Sequence, residues 1–167
     1  MTVVPRFLLL ISSCCALAAL TVACSSETTI SEEEILVTRV VDGDTIEIEG
    51  GEMVRYIGID TPEIEGPYTS LECFGQEASE MNRQLVEGKR VSLAADVENR
   101  DKYGRLLRYV YVDDLMVNAE LVRLGYAHAV SYPPNTRYVE MFSQLEHQAR
   151  EKNRGLWNAC DPAGSWQ

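Results

Sequence analysis

Ile35-Leu36-Val37-Thr38-Arg39-Val40-Val41-Asp42-Gly43-Asp44-Thr45-Ile46-Glu47-Ile48-Glu49 is the stretch from which the fold can be read. Two β-favouring runs, Ile35 to Val41 and Asp44 to Glu49, flank Asp42-Gly43, a dipeptide suited to a tight hairpin turn. Ile46 and Ile48 alternate with Thr45, Glu47 and Glu49, which is the pattern of a strand buried on one face. Gly50-Gly51 turns the chain into a third strand, Met53 to Ile59. Arg90 to Asp96 reads as a fourth strand, and Gly104 to Val112 as a fifth carrying the β-favouring run Tyr109-Val110-Tyr111-Val112.

Helical spacing fills the gaps between these strands. Phe74, Ala78, Met81 and Leu85 form one apolar stripe, closed by Gly88. A shorter helix has Asn118 as its expected cap, Leu121 and Val122 on its buried side and Gly125 at its end. A third follows Pro133-Pro134, with Asn135 as expected cap, Tyr138, Met141, Phe142, Leu145 and Ala149 along one side, and a stop by Gly155. Leu156-Trp157 is expected to fold back onto the domain. Five strands with three helical inserts predict an α+β domain built on a small five-stranded barrel.

The first 23 residues stand apart. Phe7 to Leu20 is mostly apolar, follows Arg6 and runs into Thr21-Val22-Ala23-Cys24, the layout of an export signal. Small residues before Cys24 and the polar run after it resemble a bacterial lipobox, in which the cysteine is lipidated and becomes the new N-terminus. Ordinary cleavage nearby and an uncleaved anchor are the alternatives. Residues 24–34 then read as a polar tether, 35–160 as one domain long enough for a core, and 161–167 as a tail. The protein is expected at the bacterial cell envelope, held in the membrane by a lipid on Cys24, or secreted, and monomeric.

Once the signal and the lipidated residue are set aside, Cys73 and Cys160 remain. In an oxidising compartment they suggest one disulfide, contributing about 4 kcal/mol through loop closure; two free thiols are the alternative. No Cys-x-x-Cys or nearby His completes a zinc set. His128 and His147 read as ordinary helix-side or surface residues.

Asp42-Gly43-Asp44-Thr45, Arg55, Asp60-Thr61-Pro62-Glu63 and Asp101-Lys102-Tyr103-Gly104-Arg105 place carboxylates and guanidiniums within one compact stretch of chain. Asp44, Asp60 and Glu63 are hard oxygen donors, favouring calcium or magnesium over zinc. Arg55 and Arg105 can make forked hydrogen bonds to phosphate oxygens. Phosphodiester hydrolysis needs such a set: a base for water and positive charge for the transition state. Taken singly, the Asp-Gly pair is a plain turn and each arginine a surface ion-pair partner. The formal net charge of −11 opposes a general affinity for polyanions, although a local cationic cluster dominates within a Debye length of about 10 Å at 0.1 M salt.

These motifs, with Phe74-Gly75-Gln76-Glu77-Ala78, resemble the staphylococcal nuclease family over nearly the whole domain. The resemblance implies an OB-fold barrel with three helices and calcium-dependent hydrolysis of DNA and RNA to 3′-phosphorylated products. It implies Asp44, Asp60 and the Thr61 carbonyl as calcium ligands, Glu63 as general base, and Arg55 and Arg105 as transition-state stabilisers. Lys102 and Tyr103 would contact the terminal phosphate, and Tyr132 would stack on a base. A guanidinium gives up its proton too reluctantly to serve as a donor, so Arg105 is expected to act as an electrostatic stabiliser. The chain departs from the pattern after Glu63, where Ile64 to Glu72 carries acids in place of bases. The rival expectation is a non-catalytic nucleic-acid or protein-binding module of the same fold.

Overall fold

A computed structural model of the protein describes residues 34–68 and 70–160. The export segment with Cys24, the tether as far as Glu33, and the tail 161–167 lie outside the described residues.

The Asp-Gly hairpin forms as expected: β1 (Ile35–Val40) pairs antiparallel with β2 (Thr45–Ile48), which pairs with β3 (Met53–Tyr56). The chain breaks at Ile57-Gly58, so the long third strand expected to reach Ile59 is two strands. The second of these, β4 (Ile59–Asp60), leaves the barrel. Then come α1 (Gly75–Val86), β5 (Arg90–Ala94), β6 (Leu106–Val112), β7 (Leu115–Met116), α2 (Val117–Leu124), β8 (His128–Ala129), α3 (Val139–Glu151) and the one-turn α4 (Leu156–Ala159).

The barrel runs β3-β2-β1-β5-β6 and closes where β6 pairs parallel with β3, Val54 opposite Leu106 and Arg55 opposite Leu107. Closure leaves these five strands with no exposed edge pair. Period-2 alternation sends Val37, Ile46, Val54, Val91 and Val110 inward, all fully buried. Val117 and Leu121 of α2 and Phe142 of α3 complete the core. The result is a closed five-stranded barrel with three principal helices, the expected OB-type α+β architecture. The short β4 pairs with β8, Asp60 opposite His128, and so carries Asp60 away from the barrel wall toward the β1–β2 turn.

Two expected helix caps have other duties. Asn118 lies inside α2, which starts at Val117, and is completely buried. Its Oδ1 accepts from the Val110 amide at 2.9 Å and its Nδ2 donates to the Ile57 carbonyl at 2.9 Å. One group lies within β6 and the other just after β3, so the buried Asn118 side chain ties strand backbone instead of capping a helix. Asn135 precedes α3 by several residues; its side chain accepts from Glu98 N at 2.7 Å and donates to Glu98 O at 3.1 Å. The Cys73–Cys160 disulfide is present, joining the residue pair before α1 to the end of α4.

Candidate active site

The site is assembled where the β1–β2 turn meets β3 and β4. Gly43 lies so close to Thr61 that a Cβ there would sit 2.5 Å from Thr61 Oγ1. This approach lets Thr61 donate to Asp44 Oδ2 from both its backbone amide, at 2.9 Å, and its hydroxyl, at 3.1 Å. Thr45 Oγ1 donates to the other oxygen, Oδ1, at 3.2 Å. The turn itself is tied by Asp42 Oδ1, which accepts the Asp44 amide at 3.0 Å.

Arg55 joins the carboxylate of the β1–β2 turn to that of β4. One guanidinium nitrogen lies 2.7 Å from Asp44 Oδ2 and the other contacts Asp60 Oδ1; the side chain is only 14% exposed. The same group donates to the Ile59 carbonyl at 3.0 Å, which fixes its plane. Burial disfavours the Arg55 charge, but Asp44, Asp60 and Asp42 outweigh it and hold the guanidinium pKa above its ordinary value.

The carboxylates crowd one another. Burial, then the Asp44 charge, raises Asp42 to about 7. Asp60 is raised by burial and by Asp44 despite the opposing pull of Arg55. Glu63, exposed at the rim, is raised by partial desolvation and then by Asp44, Asp60 and Glu72. Acidic groups that keep one another's pKa high form a site short of positive charge, which a divalent cation would supply. Among the described residues no three His, Cys, Asp or Glu side chains form a ready cage for an ion. The donors available are instead Asp44, Asp60 and the Thr61 carbonyl, all hard oxygens of a kind that suits calcium or magnesium with water completing the shell.

Arg105 stands just before β6, the strand that pairs with β3, the strand of Arg55. Asp101 accepts the Tyr103 and Arg105 amides at 2.9 and 3.0 Å, and Arg105 Nε donates to Asp101 Oδ2 at 2.7 Å. Burial works against the Asp101 charge, but these bonds hold its pKa below the ordinary value. The tight turn presents Tyr103 to solvent, 72% exposed, with Lys102 Nζ 5.0 Å and the Arg105 guanidinium carbon 5.4 Å from its ring centre. A cavity of about 480 Å³ is lined by Arg55, Asp101, Lys102, Tyr103, Arg105 and Tyr132, among others. Tyr132 is 63% exposed.

Thus two groupings share Arg55: the Asp44–Arg55–Asp60 bridge with Thr61, and the cavity with Lys102, Tyr103, Arg105 and Tyr132. Glu63 stands at the rim of the first grouping and does not line the cavity. Three residues escaped the sequence reading. Asp42 had a signal, the i,i+2 spacing that puts it on the same side of the turn as Asp44. Asn82, fully buried, accepts from Tyr56 Oη at 2.9 Å and donates to the Asp42 carbonyl at 3.0 Å, holding the turn from below. Glu72 bonds the Glu63 backbone. His128 is not a surface residue: it is 12% exposed in β8, with Nδ1 3.2 Å from Glu146 Oε1 and its ring edge-on to Trp157. His147 is exposed, as expected.

An arrangement of this kind can accept a proton from water at Glu63 and place two guanidiniums and a cation around a phosphate. Known proteins resemble this chain. Residues 53–159 match the staphylococcal nuclease homologue family. The chain is 42% identical over 135 residues to a thermonuclease of Staphylococcus intermedius, covering 79% of this chain and 80% of that one. It is 36% identical over 131 residues to a thermonuclease of Staphylococcus hyicus, covering 77% and 78%. It is also 39% identical over 130 residues to the SPbeta prophage-derived endonuclease YokF of Bacillus subtilis (strain 168), covering 75% of this chain and 44% of that one. With a closed five-stranded barrel, the family match over most of the domain and these nuclease relatives, the chain belongs to the staphylococcal nuclease family and is a nuclease.

Proposed function

We propose that the protein is a calcium-dependent phosphodiesterase that hydrolyses DNA and RNA internally and leaves 3′-phosphorylated products. The observation that carries this reading is the bridge of Arg55 between Asp44 and Asp60, beside Glu63 and opening onto the cavity of Arg105. Asp44, Asp60 and the Thr61 carbonyl would hold calcium. Bound there, the ion supplies positive charge to the non-bridging phosphate oxygens.

Glu63 accepts a proton from water as the water oxygen attacks phosphorus. Partial desolvation and the neighbouring Asp44 and Asp60 charges raise its pKa, which makes it a stronger base than an ordinary carboxylate. Charge builds on the non-bridging oxygens, where the Arg55 and Arg105 forks donate hydrogen bonds. The bond from phosphorus to the 5′ oxygen breaks, the phosphate stays on the 3′ oxygen, and the departing oxygen takes its proton from solvent. Asp101 aims Arg105 through its bonds to the Arg105 amide and Nε. Lys102 and Tyr103 bind the terminal phosphate, and Tyr132 offers a ring for a base.

The disulfide fits an oxidising compartment. With the export segment and Cys24, it supports an exported protein, lipid-anchored at the cell envelope or released. The test is release of 3′-phosphorylated fragments from single-stranded DNA in calcium, in excess chelator, and with Glu63→Gln. Calcium-dependent release that the variant loses is expected. No release by a folded wild-type protein would leave a binding module in its place.

A further inference from the structure

Glu63 sits in an unusual backbone setting for a residue that must be held in place. Residues 61–66 belong to no helix or strand, and Pro62 has no amide proton to donate. What restrains Glu63 is a reciprocal pair of bonds with one residue. The Glu63 amide donates to Glu72 Oε2 at 3.0 Å, and the Glu72 amide donates to the Glu63 carbonyl at 2.9 Å. Behind this ring, the start of α1 presses on the same carbonyl: a Cβ on Gly75 would stand 2.2 Å from Glu63 O, and Gly75 N donates to Glu72 O at 3.1 Å.

The clamp is itself anchored. Cys73 lies between Glu72 and the helix, and its disulfide to Cys160 ties it to α4. That short helix is fixed in turn by Leu156, buried, whose amide donates to the Gly125 carbonyl at 2.8 Å at the end of α2. The Phe74 ring, its centroid 5.1 Å from that of Tyr126, fastens the same segment from a second side.

We propose that Glu72 is a positioning residue for Glu63 and that the Cys73–Cys160 disulfide holds Glu72 in that role, so that reduction loosens the base without opening the barrel. This rests on Glu63 as the proton acceptor, but the clamp has a readout of its own. Thiol–disulfide exchange with dithiothreitol converts the two cysteines to thiols while the reagent becomes a cyclic disulfide, a balanced two-electron, two-proton transfer.

Amide hydrogen exchange at Glu63 and at Val110 in the barrel, with kinetics on single-stranded DNA, tests the idea in the full chain. Glu72→Ala removes the side-chain acceptor; Glu72→Gln keeps an oxygen for the same bond. The expected result for Glu72→Ala is exchange at Glu63 faster by about tenfold, the worth of one hydrogen bond, with Val110 unchanged. Its kcat should fall by a similar factor with KM within twofold, and Glu72→Gln should restore both. Reduction of the wild type should likewise speed Glu63 through local opening, while Val110, buried in the barrel, follows only the loss of global stability. Unchanged Glu63 exchange in Glu72→Ala, or failure of the Gln variant to rescue it, would overturn the positioning role. Reduction that leaves Glu63 exchange unchanged, or speeds it only through global opening with the same urea dependence as Val110, would overturn the part given to the disulfide. Wild-type protein without nuclease activity would sink the proposed function, and the exchange data would still decide the clamp.

Discussion

Removing the Arg55 guanidinium should expose how much of this site depends on one buried cation. Arg55→Gln leaves Asp44 and Asp60 without their shared partner, at a position where Arg55 is 14% and Asp44 7% exposed. A unit-charge pair at about 4 Å is worth roughly 4 kcal/mol at an effective dielectric near 20. Two such contacts are lost, but the desolvation of the guanidinium is recovered, so the net loss should be about 3–5 kcal/mol, as for other broken buried pairs. Urea unfolding followed by far-UV circular dichroism, at pH 7 in chelator, measures it. The sign with pH follows from the carboxylates. Without Arg55 the folded-state pKa of Asp60, already raised by burial, rises further, so the penalty is full at pH 7 and lifts as pH falls and Asp60 takes up a proton. The deficit should therefore shrink towards pH 4, and millimolar calcium should recover part of it at pH 7. A deficit under about 1 kcal/mol, or one that is flat from pH 4 to pH 8, would refute the electrostatic account of the Asp44–Arg55–Asp60 bridge.

Other outcomes follow from the same structure. Asp42→Asn keeps an acceptor for the Asp44 amide but removes a carboxyl raised to about 7 from an ordinary 3.8. The folded wild type is disfavoured once Asp42 ionises, so the variant should be more stable above pH 7, by at most about 4 kcal/mol for three pKa units, with the gain gone below pH 4; thermal melts across pH in chelator check this. Tyr56→Phe strands the buried Asn82 Oδ1, and chemical denaturation should show a loss of about 1–3 kcal/mol. Replacing both Cys73 and Cys160 with serine should lower stability by about 4 kcal/mol through an 87-residue loop, and the loss should add to that of Tyr56→Phe because the sites share no partner.

Local chemistry in the chain determined a good deal by itself. The Asp42-Gly43 turn between alternating runs dictated the first hairpin, since turn geometry and side-chain period are properties of neighbouring residues. The helical stripes ending near Gly88 and Gly125 placed α1 and α2. The carboxylates and arginines of the site were legible for the same reason: their residue types announce the chemistry they can perform, and their motifs are short.

Tertiary structure decided whatever depended on partners distant in sequence. An asparagine ahead of a helical stripe looks like a cap, yet Asn118 and Asn135 bond strand and loop backbone, because buried amides and carbonyls were nearer than the helix ends. The third strand breaks at Gly58 because Asp60 pairs beside His128, a residue far along the chain. Barrel closure by β3 and β6, the crowding that raises Asp42, and the Glu72 clamp on Glu63 all come from distances that no local pattern encodes. The sequence thus named the reactive groups, while packing set their charges and fixed the base in place, because burial and Coulomb energy depend on separation in space and not along the chain.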